Sequence, residues 1–171
     1  MALKVKRGGQ QPVRVIKDGE VIEDCWRLVE EDDGLDEGDC ILPFPRWLAE
    51  REQLKSHPGR IAVWIDGSVD LECLAPHLEE LELVAIRFPS FRDGRGYSLA
   101  RLLRERHGYR GELRAVGDVL RDQLYPMRRC GIDSFALRED QDPREALKGL
   151  KGFAVKYQAA ADGEGPIYRY R

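Results

Sequence analysis

Residues 61–88 read IAVWIDGSVDLECLAPHLEELELVAIRF. Two continuous apolar runs, IAVWI (61–65) and LVAIRF (83–88), flank a segment where Leu71, Leu74, Ala75 and Leu78 recur at helical spacing. A strand with one wet face alternates apolar and polar residues. A run that is apolar throughout fits a strand buried on both faces, as in a parallel sheet. The stretch is thus a strand–helix–strand unit. Its helix is expected over about 69–80, with Pro76 as a break or kink because proline has no N–H to donate.

The rhythm continues downstream. A helix over about 97–107 groups Leu99, Leu102 and Leu103. ELRAVG (112–117) is a strand, 118–129 a helix with Leu120, Leu124 and Met127 inward, and DSFALR (133–138) the last strand. Asp142-Pro143-Arg144-Glu145 is a capped helix start, with Asp at the N-cap, Pro in the first position and Glu in the third. Upstream, Pro45 opens a helix reaching about His57, with Trp47, Leu48 and Leu54 on its apolar side, after the short apolar run Cys40-Ile-Leu-Pro43. Residues 12–16 and 20–29 alternate around Lys17-Asp18-Gly19, the signature of a β-hairpin.

Four βα units in a row imply an α/β fold: a parallel sheet with right-handed crossovers, plus an N-terminal hairpin. The sheet is either an open doubly wound sheet or a half-barrel. A barrel of eight βα units takes roughly 200 residues or more, too long for this chain. The expected organisation is a single domain, 1–171: hairpin and acidic loop over 12–40, βα core over 41–152, tail over 153–171.

Composition bounds the function. With 42% hydrophobic residues the chain can bury a core. No apolar run approaches the ~20 residues that span a bilayer, and MALKVKRGGQQ has no apolar signal-peptide core. Neither a membrane partner nor nucleic acid is expected, the latter because the pI is about 5.7. The expected compartment is the cytoplasm, with reduced thiols. Cys25, Cys40, Cys73 and Cys130 form no paired clip, so neither a metal nor a cofactor is expected. Cys73 falls on an apolar helix face as a small buried hydrophobe. Cys130 is either an inert structural thiol or one whose pKa Arg128 and Arg129 lower.

The net charge of −3 hides two poles. Asp18 to Asp39 holds eleven acids and one base, Arg27; Arg87 to Arg129 holds eleven arginines and five acids. Arginine forks suit carboxylate, phosphate and sulfate-like groups. Arg104, Arg106, Arg128 and Arg129 are read as solvated helix-face residues. EEDDGLDEGD (30–39) reads as an acidic loop, either merely solvated or a docking surface for a basic partner.

In parallel α/β folds ligands bind at the carboxyl ends of strands. Those ends carry Asp66, Arg87, Asp118 and Arg138, with Arg114 within its strand. The loop Arg92-Asp93-Gly94-Arg95-Gly96-Tyr97-Ser98 is the sharpest element. Its glycines permit tight turns, and Ser98 near a helix start leaves free N–H groups for an anion. Arg87, Arg92, Asp93, Arg95, Tyr97, Ser98 and Arg114 form the candidate anion site. A structural loop, with Asp93 paired to an arginine, is an equal reading. Asp118 is read first as a helix cap. Asp66 and Asp118 are weak acid/base candidates.

The run FRDGRGYSLARLLRERHGYRGELRAVGDVLRDQLYPMRRCGIDSFALR (91–138) resembles the core of a bacterial family, domain of unknown function 934. The resemblance is close over 83–138 and looser over about 40–150. Members are typically encoded beside the haem-containing subunit of assimilatory sulfite or nitrite reductase. Some carry the label oxidoreductase, but no cofactor motif accompanies it here. The resemblance implies a sulfur-assimilation role with that haem subunit as partner. Two classes of function stay open: an accessory protein acting by contact with the reductase, to which the tail aromatics Tyr168 and Tyr170 would contribute, or a small oxyanion- or nucleotide-binding protein or enzyme. An exposed sheet edge would favour a homodimer.

Overall fold

The computed structural model describes residues 14–150. Its strands are β1 (Arg14–Lys17), β2 (Glu20–Glu23), β3 (Arg27–Leu28), β4 (Cys40–Pro43), β5 (Ile61–Ile65), β6 (Leu83–Phe88), β7 (Glu112–Gly117) and β8 (Ser134–Ala136). They form one sheet in the order β2-β1-β8-β7-β6-β5-β4-β3. From β3 to β8 every pairing is parallel, while β1 is antiparallel to both β2 and β8.

Read as a circle, that order is simply the order of the chain. The two edge strands, β2 and β3, are consecutive and joined only by Asp24-Cys25-Trp26. Four residue steps span at most about 14 Å. A flat sheet of this many strands would be about 34 Å wide at the usual ~4.8 Å spacing. The sheet therefore has to curl, and the fold is a half-barrel with an N-terminal hairpin.

The two faces differ in content. The convex face carries Val63, Ile65, Val84, Ile86, Phe88, Leu113, Ala115 and Phe135. Packed against it are helices α1 (Phe44–Leu54), α2 (Leu71–Leu74), α3 (Arg95–Glu105), α4 (Leu124–Arg129) and α5 (Pro143–Ala146). The concave face holds Ile41, Ala62, Leu83, Ala85 and Val116, with Trp26 from the β2–β3 strap laid on them. Ala62 and Ala85 are small, which leaves room for the Trp26 and Trp64 rings.

Beside that apolar patch lies a buried ionic network. Arg114, only 2% exposed, donates to Glu112 Oε1 at 2.8 and 3.0 Å, to Ser134 Oγ at 3.2 Å and to Asp24 Oδ2 at 2.8 Å. Lys17 Nζ donates to Glu112 Oε2 at 2.6 Å, and Ser134 Oγ to Glu112 Oε1 at 2.5 Å. Two cations face two carboxylates, so no net charge is buried. Burial works against the Glu112 carboxylate, but bonds from Lys17 and Ser134 and the charge of Arg114 hold its pKa below the ordinary value. The bond to Glu112 raises the Lys17 pKa in turn.

Local sequence explains most elements, and the differences have physical causes. Asp18 (φ 52°) and Gly19 (φ 79°) make the turn between β1 and β2. The strand expected over 20–29 breaks at Asp24–Trp26, because Asp24 turns to Arg114. Residues 12–13 and the tail expected over 153–171, with Tyr168 and Tyr170, lie outside the described residues. The helix expected over 69–80 is four residues of α2, capped by Asp70, followed by a 3-10 turn at Ala75–Glu80 that carries Pro76. The helix expected over 118–129 starts only at a 3-10 turn, Arg121–Gln123. Asp142 caps α5 as expected, accepting from Arg144 N at 2.9 Å. Cys73, expected to be buried, is exposed, and burial raises the Cys130 pKa rather than its arginines lowering it.

Arg104 is a correction of more weight. It does not lie on a solvated face. It donates to the carbonyls of Gly131 (2.9 Å), Tyr109 (2.6 Å) and Gly111 (2.9 Å), and pairs with Asp133, pinning α3 to the bases of β7 and β8.

Removing one partner of a buried ion network strands the others, a cost of about 3–5 kcal/mol. Arg114→Ala is expected to lose that much in urea unfolding. The pH dependence follows from signs. A lowered Glu112 pKa supports the fold above its ordinary value of 4.5, and that support is lost as pH falls through the lower folded value. Lys17, raised, contributes fully below 10.5 and is lost only as pH rises through its folded value. Acid unfolding should therefore begin below about pH 4.5. Glu112→Gln should flatten that acid limb.

Candidate functional site

The carboxyl ends of β5 to β8 form one edge of the half-barrel, and most candidate residues gather there. After β5, Asp66 Oδ1 accepts from Ser68 N at 2.8 Å and Ser68 Oγ at 2.5 Å, which lowers its pKa. On β6, Arg87 lies on the concave side with its guanidinium 4.9 Å above the Trp64 ring. The same group donates to Glu30 of the acidic loop at 2.7 Å.

The β6–α3 loop is organised by its own carboxylate. Asp93 accepts from Arg95 Nε at 2.9 Å, Arg95 NH2 at 2.7 Å and Arg95 backbone N at 3.1 Å. The Arg95 guanidinium holds the Asp93 pKa down at about 2. Asp93 thus occupies the first amide of α3, that of Arg95, as well as the Arg95 guanidinium. Gly94 has an ordinary helical φ of −78°. Gly96 serves packing rather than turning: a Cβ there would come within 2.5 Å of Phe88, so glycine lets α3 seat directly on β6. Arg92 lies over the Phe91 ring at 5.4 Å. Tyr97 is half-buried, edge-on to Phe88 at 5.5 Å, and burial raises its pKa. Ser98 is exposed, the fourth residue of α3.

Asp118 does not cap a helix. Its Oδ2 accepts from Phe91 N and its Oδ1 from Arg138, both at 2.8 Å. It clasps the β6–α3 loop to the segment after β8. Gln123 completes the clasp, donating to the Phe91 carbonyl at 3.0 Å and accepting from Leu120 N at 3.1 Å. Arg138 also forks onto Asp140, at 2.6 and 2.8 Å.

Arg114 is not at this edge. The register sets Arg87 opposite Val116, so Arg114 lies two residues lower on the same concave face, inside the buried network. Sequence reasoning missed Trp64, Glu30 and Gln123. The Trp64 indole sits in an apolar strand that gave no hint of which face it took, and Gln123 was only a polar residue inside a predicted helix.

The acidic loop is built rather than loose. Arg46 donates to the carbonyls of Glu30, Glu31 and Asp33, at 2.7–3.1 Å, and Arg27 pairs with Asp33 and Asp36. Chemically, the edge is a set of closed ion pairs: Arg87 with Glu30, Arg95 with Asp93, Arg138 with Asp118 and Asp140. An incoming anion would have to displace a carboxylate from each of these three; Arg92, over the Phe91 ring, is the edge arginine to which the structure gives no carboxylate among the described residues. Among the described residues, no three His, Cys, Asp or Glu side chains form a metal-holding group. Nor, among them, is any helix long and apolar enough to cross a membrane.

Fold and edge together define a class: a small α/β half-barrel in which three of the four carboxyl-end arginines are paired with carboxylates of the same chain. The chain belongs to the family described as "Bacterial protein of unknown function (DUF934)", whose model matches residues 62–168. That span covers β5 from its second residue, β6 to β8, and the charged edge apart from Glu30 of the acidic loop. No curated protein matches the chain.

If Asp118 is the clasp, Asp118→Ala should remove the acceptor of the Phe91 N–H, an exposed bond that water can replace, and cost about 1 kcal/mol. Hydrogen exchange at Phe91 and its neighbours should speed up, while the amides of β7 keep their protection.

Proposed function

We propose that the protein is an accessory protein of assimilatory sulfite reduction that acts by contact with the haem-containing subunit of the reductase. The observation that carries this reading is the internal pairing of the edge arginines. A site that concentrates oxyanions keeps cations free for them; here Arg87, Arg95 and Arg138 each hold a carboxylate of this chain. Five carboxylates, Glu30, Asp66, Asp93, Asp118 and Asp140, outweigh the edge's four arginines, Arg87, Arg92, Arg95 and Arg138. Such a surface repels sulfite and sulfate and suits complementary contact with a protein. The choice of partner rests on the expectation that members of this family are encoded beside the haem-containing subunit of the reductase.

One observation favours the second reading, a binding protein or enzyme for an oxyanion or nucleotide. Arg87 faces the concave side, stacked on Trp64, and its carboxylate comes from a separate loop. A ligand that displaced Glu30 would find an oriented guanidinium there, with Arg92 and Arg95 on the neighbouring loop.

Co-purification from a native lysate, followed by mixing at micromolar concentration, should yield a complex with the reductase haem subunit. Absence of any complex overturns the accessory reading. Sulfite, sulfate and adenylyl-sulfate should give no thermal shift. A shift that Arg87→Ala abolishes would establish the second reading instead.

A further inference from the structure

Beside the charged edge, between the carboxyl ends of β4 and β5, lies an open groove of about 320 Å³. Its apolar wall is Pro43, Leu48, Trp64 and Val69. Leu48 was expected to face the core with Trp47 and Leu54; instead it is 45% exposed and projects from α1 along the groove. Three carboxylates stand around the opening: Glu31 from the acidic loop, Asp66 after β5 and Asp70 at the start of α2. Among the described residues, no arginine or lysine lines it. Asp66 and Asp70 are held in place by Ser68 and by the Glu72 amide.

We infer that this groove is the contact surface for an extended basic–apolar peptide segment of a partner protein, taking an apolar side chain against Leu48 and Trp64 and flanking arginines or lysines on Glu31, Asp66 and Asp70. Charge decides the occupant. The neighbouring bases, Arg87 on the Trp64 ring and Arg95, are already paired with Glu30 and Asp93, so an opening lined by three carboxylates disfavours an oxyanion or nucleotide and attracts a cationic segment. Size agrees, since the groove is at the small end of the ~300–1,000 Å³ typical of ligand pockets. It is open along one side, which suits a side chain of an extended peptide. The inference rests on reading the protein as a contact protein and names the chemistry of that contact.

The test uses the full chain and a fluorescein-labelled, acetylated peptide of alternating arginine and leucine. Anisotropy should show saturable binding that weakens with salt, because exposed charges are screened. The matching glutamate–leucine peptide should not bind. Leu48→Lys and, separately, Glu31→Lys should each weaken binding about tenfold, about 1.4 kcal/mol. Leu102→Lys, which alters an exposed leucine elsewhere, should leave it unchanged. Both altered groove positions are exposed, and matching melting curves verify folding. No saturable binding, equal binding of the glutamate peptide, or unaltered binding by both groove variants overturns the inference. The same variants in the co-purification separate the two readings. Peptide binding without a reductase complex supports the groove and removes the reductase. A reductase complex that both variants leave intact keeps the accessory role and removes the groove.

Discussion

Arg114 is the constraint on which the rest of the half-barrel depends. A guanidinium buried to this degree is tolerated only if its donors are all answered. Glu112 and Ser134 answer from the floor of the sheet, Asp24 from the strap between the sheet's two edges. Lys17 ties β1 into the same group. The strap must lie across the concave face to deliver Asp24, and that brings Trp26 over Leu83, Ala85 and Val116. Closure of the sheet, placement of the hairpin and filling of the concave face are consequences of one buried charge and its partners.

The carboxyl edge follows the same rule at the surface. Arginines and acids are matched in local pairs: Asp93 with the arginine two residues on, Asp118 with Arg138 across two strands, Glu30 with Arg87 across the concave opening. Each pair contributes little stability when exposed. Together they fix loop shape. The β6–α3 loop is held through both polar groups of Phe91, by Asp118 and Gln123, and Gly96 lets its helix rest directly on β6. Within the candidate anion loop, Asp93 and Arg95 pair with each other, and Gly96 makes room for Phe88.

The βα core was legible because its signal is local. IAVWI and LVAIRF are apolar at every position, and only a strand covered on both faces needs that. The Asp142-Pro143 cap was legible for the same reason, since cap and capped amide are two residues apart. The half-barrel was one of two readings, and its choice is set by the strap, which the alternating pattern of 20–29 conceals. Nothing near Asp24 announces a partner ninety residues away. Arg114 illustrates the limit for the site. In sequence it belongs with Arg87, Arg92 and Arg95; parallel register drops it one pleat repeat, about 7 Å, below Arg87 into the interior. Leu48 and Leu102 satisfied the helical spacing yet face outward, because each helix meets the sheet along a narrower stripe than the spacing rule allows.

The circular strand order also sets a schedule for folding. The hairpin is synthesised before the βα core, but β1 pairs with β8, and Asp24 and Lys17 both find their ion partners on β7. Val15 and Ile16, buried at the end, wait for β8, and the bed for Trp26 is complete only with Val116 of β7. Contacts this distant in sequence close late and slowly. Residues 14–26 are thus made before the core and placed after it. The nascent chain carries an unpaired, partly apolar hairpin throughout its synthesis, which makes that hairpin the natural point of engagement for a chaperone and the natural origin of misassembly.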